Sequence, residues 1–174
     1  MRTLVIPVGI PGCGKTWWCQ KMLKNYNIPN VSSDNMREML YGDASIQGDY
    51  LEVFGAVYDT ICNIWDSGEP ICILDATNVT RHVRAKAIID TDPNEIIYVI
   101  MNNNLGRAIE QNNKRERCVP VSIIRRMYKS YKRDYPCAQK DFYPDKNCVI
   151  YKFNDPFLYK HLEEIKGRSK PKNK

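Results

Sequence analysis

Residues Gly9-Ile10-Pro11-Gly12-Cys13-Gly14-Lys15-Thr16 spell G-x-x-x-x-G-K-[ST]. A short apolar run, Thr3 to Val8, leads in, and a helical stretch from Lys15 to about Asn25 follows. That placement commits the chain to a strand, a tight turn and a helix in immediate succession. Three glycines let the backbone curl so that successive N–H groups point inward, and the start of the helix adds the positive end of its dipole. The expected result is a cradle for phosphate oxygens built from Gly9, Pro11, Gly12, Cys13 and Gly14. Lys15 would neutralise the outer phosphates and the Thr16 hydroxyl would ligate Mg²⁺. A nucleoside triphosphate, ATP or another, with Mg²⁺ is the expected ligand.

The rest of the chain alternates strand and helix. Asn30 to Ser32 reads as a brief second strand, with Ser33 or Asp34 capping a helix through Met39. Asp49 to Asp66 reads as a long amphipathic helix, and Ile71 to Leu74 as an apolar strand covered on both faces. A helix from about Thr80 to Ile89, a strand from Ile96 to Met101, a helix from about Leu105 and another opened by Pro120 come next. Cys148 to Lys152 and Asp155 to Ile165 complete the pattern, while Tyr135 to Asn147 carries no readable period. Such an order predicts an α/β, three-layer fold with a central, mostly parallel sheet and the active site at the carboxyl ends of its strands. One phosphotransferase domain is expected over residues 1–166, with a lid at about 111–120 and a basic tail at 167–174.

Charge is unevenly placed. Of the net +6, nine Lys/Arg against Glu110 and Glu116 lie between Arg107 and Arg133, and five more Lys/Arg lie between Lys166 and Lys174. A polyanionic partner fits this distribution, as do solvated lysines. The seven cysteines are scattered with no C-x-x-C pair, which points to neither a disulfide framework nor a zinc site. No apolar stretch approaches about 20 residues. A cytoplasmic location is expected, that of the host if the chain is phage-encoded, with no membrane partner and no protein partner inferable.

Phosphoryl transfer needs a carboxylate near the metal, a group to activate the acceptor, and cations on the moving charge. Asp34 follows the second strand, with Arg37 one helical turn on. The carboxylate can accept the proton of an attacking hydroxyl, and the guanidinium can hold an acceptor phosphate; a capping Asp with a surface Arg is the plainer alternative. Asp75 ends an otherwise apolar strand, which suits Mg²⁺ ordering, and Thr77 and Asn78 add hydrogen-bonding side chains toward the substrate. Lys114 to Arg117 lies between two helices and can swing over bound triphosphate as a lid. Arg125, Lys129 and Lys132 share one helix face near Met127, Tyr128 and Tyr131, a pattern equally suited to a nucleic-acid groove or to a solvated face.

Taken together, Gly9 to Thr16, Ser32 to Arg37, Asp75 to Asn78, Asn112 to Arg115 and Val119 to Lys129 resemble the 5′-hydroxyl polynucleotide kinases of phages and bacteria, within the adenylate-kinase-like P-loop phosphotransferases. The resemblance implies Asp34 as general base for a 5′-OH and Arg37 as a contact to the acceptor's phosphate. It implies Lys15 and Arg115 on the transferring phosphoryl group, and Thr16 as metal ligand. Gln111 stands where such enzymes commonly carry an arginine that packs on the nucleobase, which bears on donor preference. The acceptor implied is DNA or RNA. A hydroxymethyl group on a modified pyrimidine, a small molecule or nucleotide, and a binding module without acceptor chemistry are the competing readings.

Overall fold

Strand β1 (Thr3–Val8) is buried at every residue, and its side chains divide by parity between two cores. Leu4, Ile6 and Val8 join one apolar cluster and Val5 the other. The same period of two splits β3 (Ile71–Asp75), with Cys72 and Leu74 against Ile71 and Ile73, and β4 (Glu95–Ile100), with Ile96, Tyr98 and Ile100 against Ile97 and Val99. A sheet apolar on both faces must be covered on both, which is why these strands read as continuous hydrophobic runs.

The computed structural model describes residues 1–137, 143 and 145–168. Around β1 it places α1 (Lys15–Tyr26), β2 (Asn30–Ser32), α2 (Ser33–Tyr41), α3 (Tyr50–Asp66), α4 (Arg81–Thr91), α5 (Leu105–Asn113), α6 (Val121–Arg133), β5 (Asn147–Lys152) and α7 (Pro156–Arg168). The five strands run in the order β2-β3-β1-β4-β5, every neighbouring pair parallel. Helices α1 and α7 supply Trp18, Met22, Leu158, Leu162 and Ile165 to one face. Helices α3, α4 and α6 supply Val57, Ile61, Ile88, Ile124 and Tyr131 to the other. This is the α/β P-loop kinase fold expected from the element order. Among the described residues no helix is long and apolar enough to cross a membrane.

Two boundaries differ from expectation for reasons visible in the side chains. Strand β4 begins at Glu95 because its buried carboxylate accepts hydrogen bonds from Thr3 Oγ1 (3.3 Å) and Asn147 Nδ2 (2.6 Å), so a charged residue is tolerated inside the sheet. Helix α2 is capped by Ser32, whose side chain accepts from the Asn35 N–H, and neither Ser33 nor Asp34 has that task. Much of the unreadable stretch before β5 (138–142 and 144) and most of the expected basic tail (169–174) lie outside the described residues.

Candidate active site

The loop between β1 and α1 has the backbone the sequence demands. Gly12 and Gly14 sit at φ +84° and +90°, and α1 starts with no side-chain cap and no acid in its first turn. Its first N–H groups are thus directed at the loop's concavity without a competing side chain. Lys15 is 8% exposed, and its Nζ donates to the carbonyls of Gly9 (2.7 Å) and Ile10 (3.0 Å), which holds the ammonium at the loop's mouth. Pro11 is buried, Cys13 half-buried and Thr16 exposed. The two glycines differ in their surroundings. A Cβ on Gly12 would stand 2.1 Å from the carbonyl oxygen of Ala108 in α5, whereas one on Gly14 would meet nothing within 4 Å. Gly12→Ala should therefore cost about 3 kcal/mol of unfolding free energy, combining left-handed backbone strain with overpacking, against about 1 kcal/mol for Gly14→Ala. Equal denaturation midpoints for the two variants would show that α5 does not clamp this turn.

Asp75, at the tip of β3, is buried beside the Thr16 hydroxyl and the Cys19 thiol. Burial raises its carboxyl above the ordinary carboxylate range and the Asp34 charge adds to this, while Lys15 and the neighbouring Cys19 and Thr16 side chains pull it back. Asp75 therefore lies within reach of three other expected site residues, Lys15, Thr16 and Asp34. The register makes this possible: Ser32 pairs with Asp75 across β2 and β3, so Asp34 lies in the first turn of α2, two residues beyond the strand tip. With capping assigned to Ser32, the Asp34 carboxylate remains 62% exposed. It accepts a hydrogen bond from Arg37 Nη1 at 2.8 Å. Arg37 is 12% exposed, and its Nε is buried without a partner among the described residues.

A Thr hydroxyl and a carboxylate are hard oxygen donors, two positions of the six a Mg²⁺ ion takes. The open N–H cradle and the partnerless Arg37 Nε suit anionic oxygens. The residues present thus fit a nucleoside triphosphate with Mg²⁺.

Thr77 is half-buried, while Asn78 stands elsewhere than expected. The Thr77 carbonyl accepts from the Gly9 N–H (3.1 Å), tying the loop after β3 to the phosphate loop. Asn78 is fully buried at φ +50°, and its Nδ2 is within 3.1 Å of the carbonyls of Pro7, Leu74 and Ala76. This side chain braces the two strand ends and has no surface to offer a substrate, which corrects its expected role. Two further braces carry no local sequence signal. Asn103 accepts from the Ile10 N–H (2.9 Å) and donates to the carbonyls of Val8 and Met101. Arg84, 1% exposed, donates to the carbonyls of Asn78, Val79 and Asp134 and lies over the Tyr98 ring. It joins the loop after β3 to the end of α6.

The segment between α5 and α6 is closed by Asn112, fully buried, which both donates to and accepts from the Val119 backbone at 2.9 Å. Arg115 rides exposed on this turn, and its side chain bonds nothing among the described residues. Arg117 lies near enough to Asp43 to help hold that carboxyl below its usual range, behind the larger effect of Ser45 hydrogen bonds. Beside the phosphate loop a cleft of about 320 Å³ is lined by Gly14, Trp17, Arg107, Gln111 and Phe153. Gln111 thus lines a cleft that adjoins the phosphate loop.

Among solved structures the chain is similar to the Pnkp1/Rnl/Hen1 RNA repair complex, with TM-score 0.68 and 19% identity over 83% of this chain. It spans only 47% of the chain it matches there. It is similar also to Chaetomium thermophilum Kti12 in complex with ADP-AlF3 (TM-score 0.60, 15% identity, 92% of this chain and 95% of that one). A gluconokinase from Sinorhizobium meliloti 1021 is matched at TM-score 0.55 and 13% identity, over 97% of this chain and 93% of that one. At such identities the likeness is one of fold. The sequence itself goes further: residues 4–133 match the AAA domain family, a span that takes in the phosphate loop, Asp34, Asp75 and the turn between α5 and α6. With well over half of its 174 residues inside that match, the chain belongs to this family of P-loop nucleotide-binding domains.

Proposed function

We propose that this chain transfers the γ-phosphoryl group of ATP to the 5′-hydroxyl end of DNA or RNA. The observation that carries the reading is the state of Asp34: released from capping by Ser32, exposed, and near enough to Asp75 for its charge to act there. An exposed carboxylate that is not spent on capping its helix is what an alcohol acceptor requires. Its Arg37 neighbour, with a buried Nε left over, supports an acceptor that brings a phosphate of its own.

In this mechanism ATP supplies the phosphoryl group; Thr16 and Asp75 would hold a Mg²⁺ ion, which would supply positive charge to the phosphate oxygens. The loop N–H groups and Lys15 hold the β- and γ-phosphates. Asp34 accepts the hydroxyl proton as the acceptor oxygen bonds to the γ-phosphorus, the bond from that phosphorus to the bridging oxygen breaks, and ADP departs. Arg37 fixes the acceptor through its adjacent phosphate, and Arg115 on the lid turn screens the charge spread over the moving group.

The test is labelled ATP offered to 5′-OH DNA, 5′-OH RNA, hydroxymethylpyrimidine DNA, mononucleotides, gluconate and nucleosides, with digestion to locate the label. Label at the 5′ end of an oligonucleotide is expected. Label on a base, on gluconate or on a free nucleotide would overturn the acceptor assignment, and no label anywhere would leave a nucleotide-dependent binding module.

A further inference from the structure

We infer that the exposed face of α6 is a track for a single nucleic-acid strand, which leads into an aromatic groove at the helix's carboxyl end. This rests on the acceptor being a nucleic acid, as proposed above. Helix α6 carries Arg125, Arg126, Lys129, Lys132 and Arg133 and no acid. All five are exposed, while Ile124 and Tyr131 on the other side are buried in the core. At 3.6 residues per turn the five occupy about a third of the helix circumference. Arg133 is committed to Asp134, and Lys132 lies over the Tyr128 ring. Arg125, Arg126 and Lys129 have no carboxylate partner among the described residues.

Charge elsewhere around the site argues for this path. Between Ser33 and Glu52, the lobe that holds Asp34, there are five acids (Asp34, Glu38, Asp43, Asp49, Glu52) against Arg37 alone. A phosphate backbone leaving the acceptor position is repelled along that lobe and attracted toward the lid turn and α6. The helix connects the two regions in question. It starts just after the Asn112–Val119 clasp, and the residue that ends it, Asp134, is held by Arg84 to the loop that follows Asp75. From Arg125 to Lys132 the axis advances about 10 Å, room for about three phosphates of a stacked strand at 3.4 Å per step.

At the helix's end lies a groove of about 440 Å³ that Lys132 shares with Tyr135, Lys152 and Phe153. Tyr135 is 42% exposed and braced edge-on by Tyr131, with ring centroids 5.5 Å apart. A ring held in place with its surface open, flanked by two lysines, suits an unpaired base and its phosphate. A duplex cannot offer that base, so the track selects single strands.

The test is binding of a fluorescent, 5′-phosphorylated 12-nucleotide single strand at several salt concentrations, with no ATP present. R125A/R126A/K129A should weaken binding more than tenfold at 0.15 M salt and lower the slope of log affinity against log salt by about 2, since each neutralised phosphate of a single strand contributes about 0.7 to that slope. The charge-keeping R125K/R126K should bind as the parent does. Tyr135→Ala should weaken binding about tenfold with the salt slope unchanged, and Tyr135→Phe should not. An unaltered slope and affinity in the triple variant would overturn the track. So would preference for anionic phospholipid vesicles over the strand, or equal binding of blunt duplex. Because this binding needs no turnover, a strand held on α6 without transfer to any 5′-OH would sink the proposed activity and leave the track standing.

Discussion

Asp34→Asn is expected to lower turnover on a 5′-OH acceptor about a thousandfold while nucleotide affinity stays within about twofold, since a positioned general base contributes 10²–10⁴. The substitution is chosen to isolate the proton. Asparagine keeps the carbonyl oxygen that accepts from Arg37, now at 2.8 Å, and removes only the negative charge and basicity. Helix α2 should survive it, because its cap is the Ser32 side chain. The nucleotide should scarcely sense it, because the phosphate loop is braced by Asn103, Asn78 and its own glycines and not by Asp34. Asp75 loses a like-charged neighbour that now helps to raise it, so the metal position should if anything hold its charge more readily. The measurements are single-turnover transfer to a 5′-OH oligonucleotide and titration with a fluorescent ADP analogue. Turnover within tenfold of the parent would remove Asp34 from the reaction and leave the acceptor's activation to another group.

How much of this was legible in the sequence depends on how local each signal is. The phosphate loop is a contiguous string whose geometry is fixed by its own glycines, and the strands announce themselves because both faces are covered. Capping of α2 was harder, since Ser32, Ser33 and Asp34 are three consecutive residues with suitable side chains. Only the pairing of Ser32 with Asp75 decides which of them stands at the helix start. Asn78 and Asn103 look alike in the sequence, polar residues in polar loops after apolar strands. Their partners are carbonyls 71 and 95 residues away in β1, which no local pattern reports. Arg84 reads as one of several basic residues on a helix. Its burial depends on three carbonyls and the Tyr98 face, brought together only when α4 and α6 pack on the same side of the sheet. The chemistry-bearing residues were visible, and the residues that aim them were not.

Lys15→Met should cost about 10³ in turnover and about tenfold in nucleotide affinity with every acceptor offered, a breadth that sets it apart from Asp34→Asn. Preorganised cationic donors aimed at a transferring phosphoryl group are worth 10²–10³ each in a site that excludes water. Lys15 qualifies on both counts: it is 8% exposed, and its Nζ is already held by the carbonyls of Gly9 and Ile10, so little reorganisation attends the move onto phosphate. Methionine keeps the aliphatic stem that fills the buried start of α1. It removes the charge and leaves the two carbonyls without their donor, a loss of about 1–3 kcal/mol per buried unsatisfied group. Some destabilisation is thus expected alongside the kinetic defect, and the two must be separated. Lys15→Arg supplies that separation by restoring a donor to the carbonyls while misplacing the charge in a cradle shaped for a point cation. It should recover the thermal midpoint and leave turnover at least a hundredfold down. If the arginine variant regained both midpoint and turnover, Lys15 would be a strut of the loop whose charge is incidental, and the phosphoryl transfer proposed for this cradle would have lost the cation it depends on.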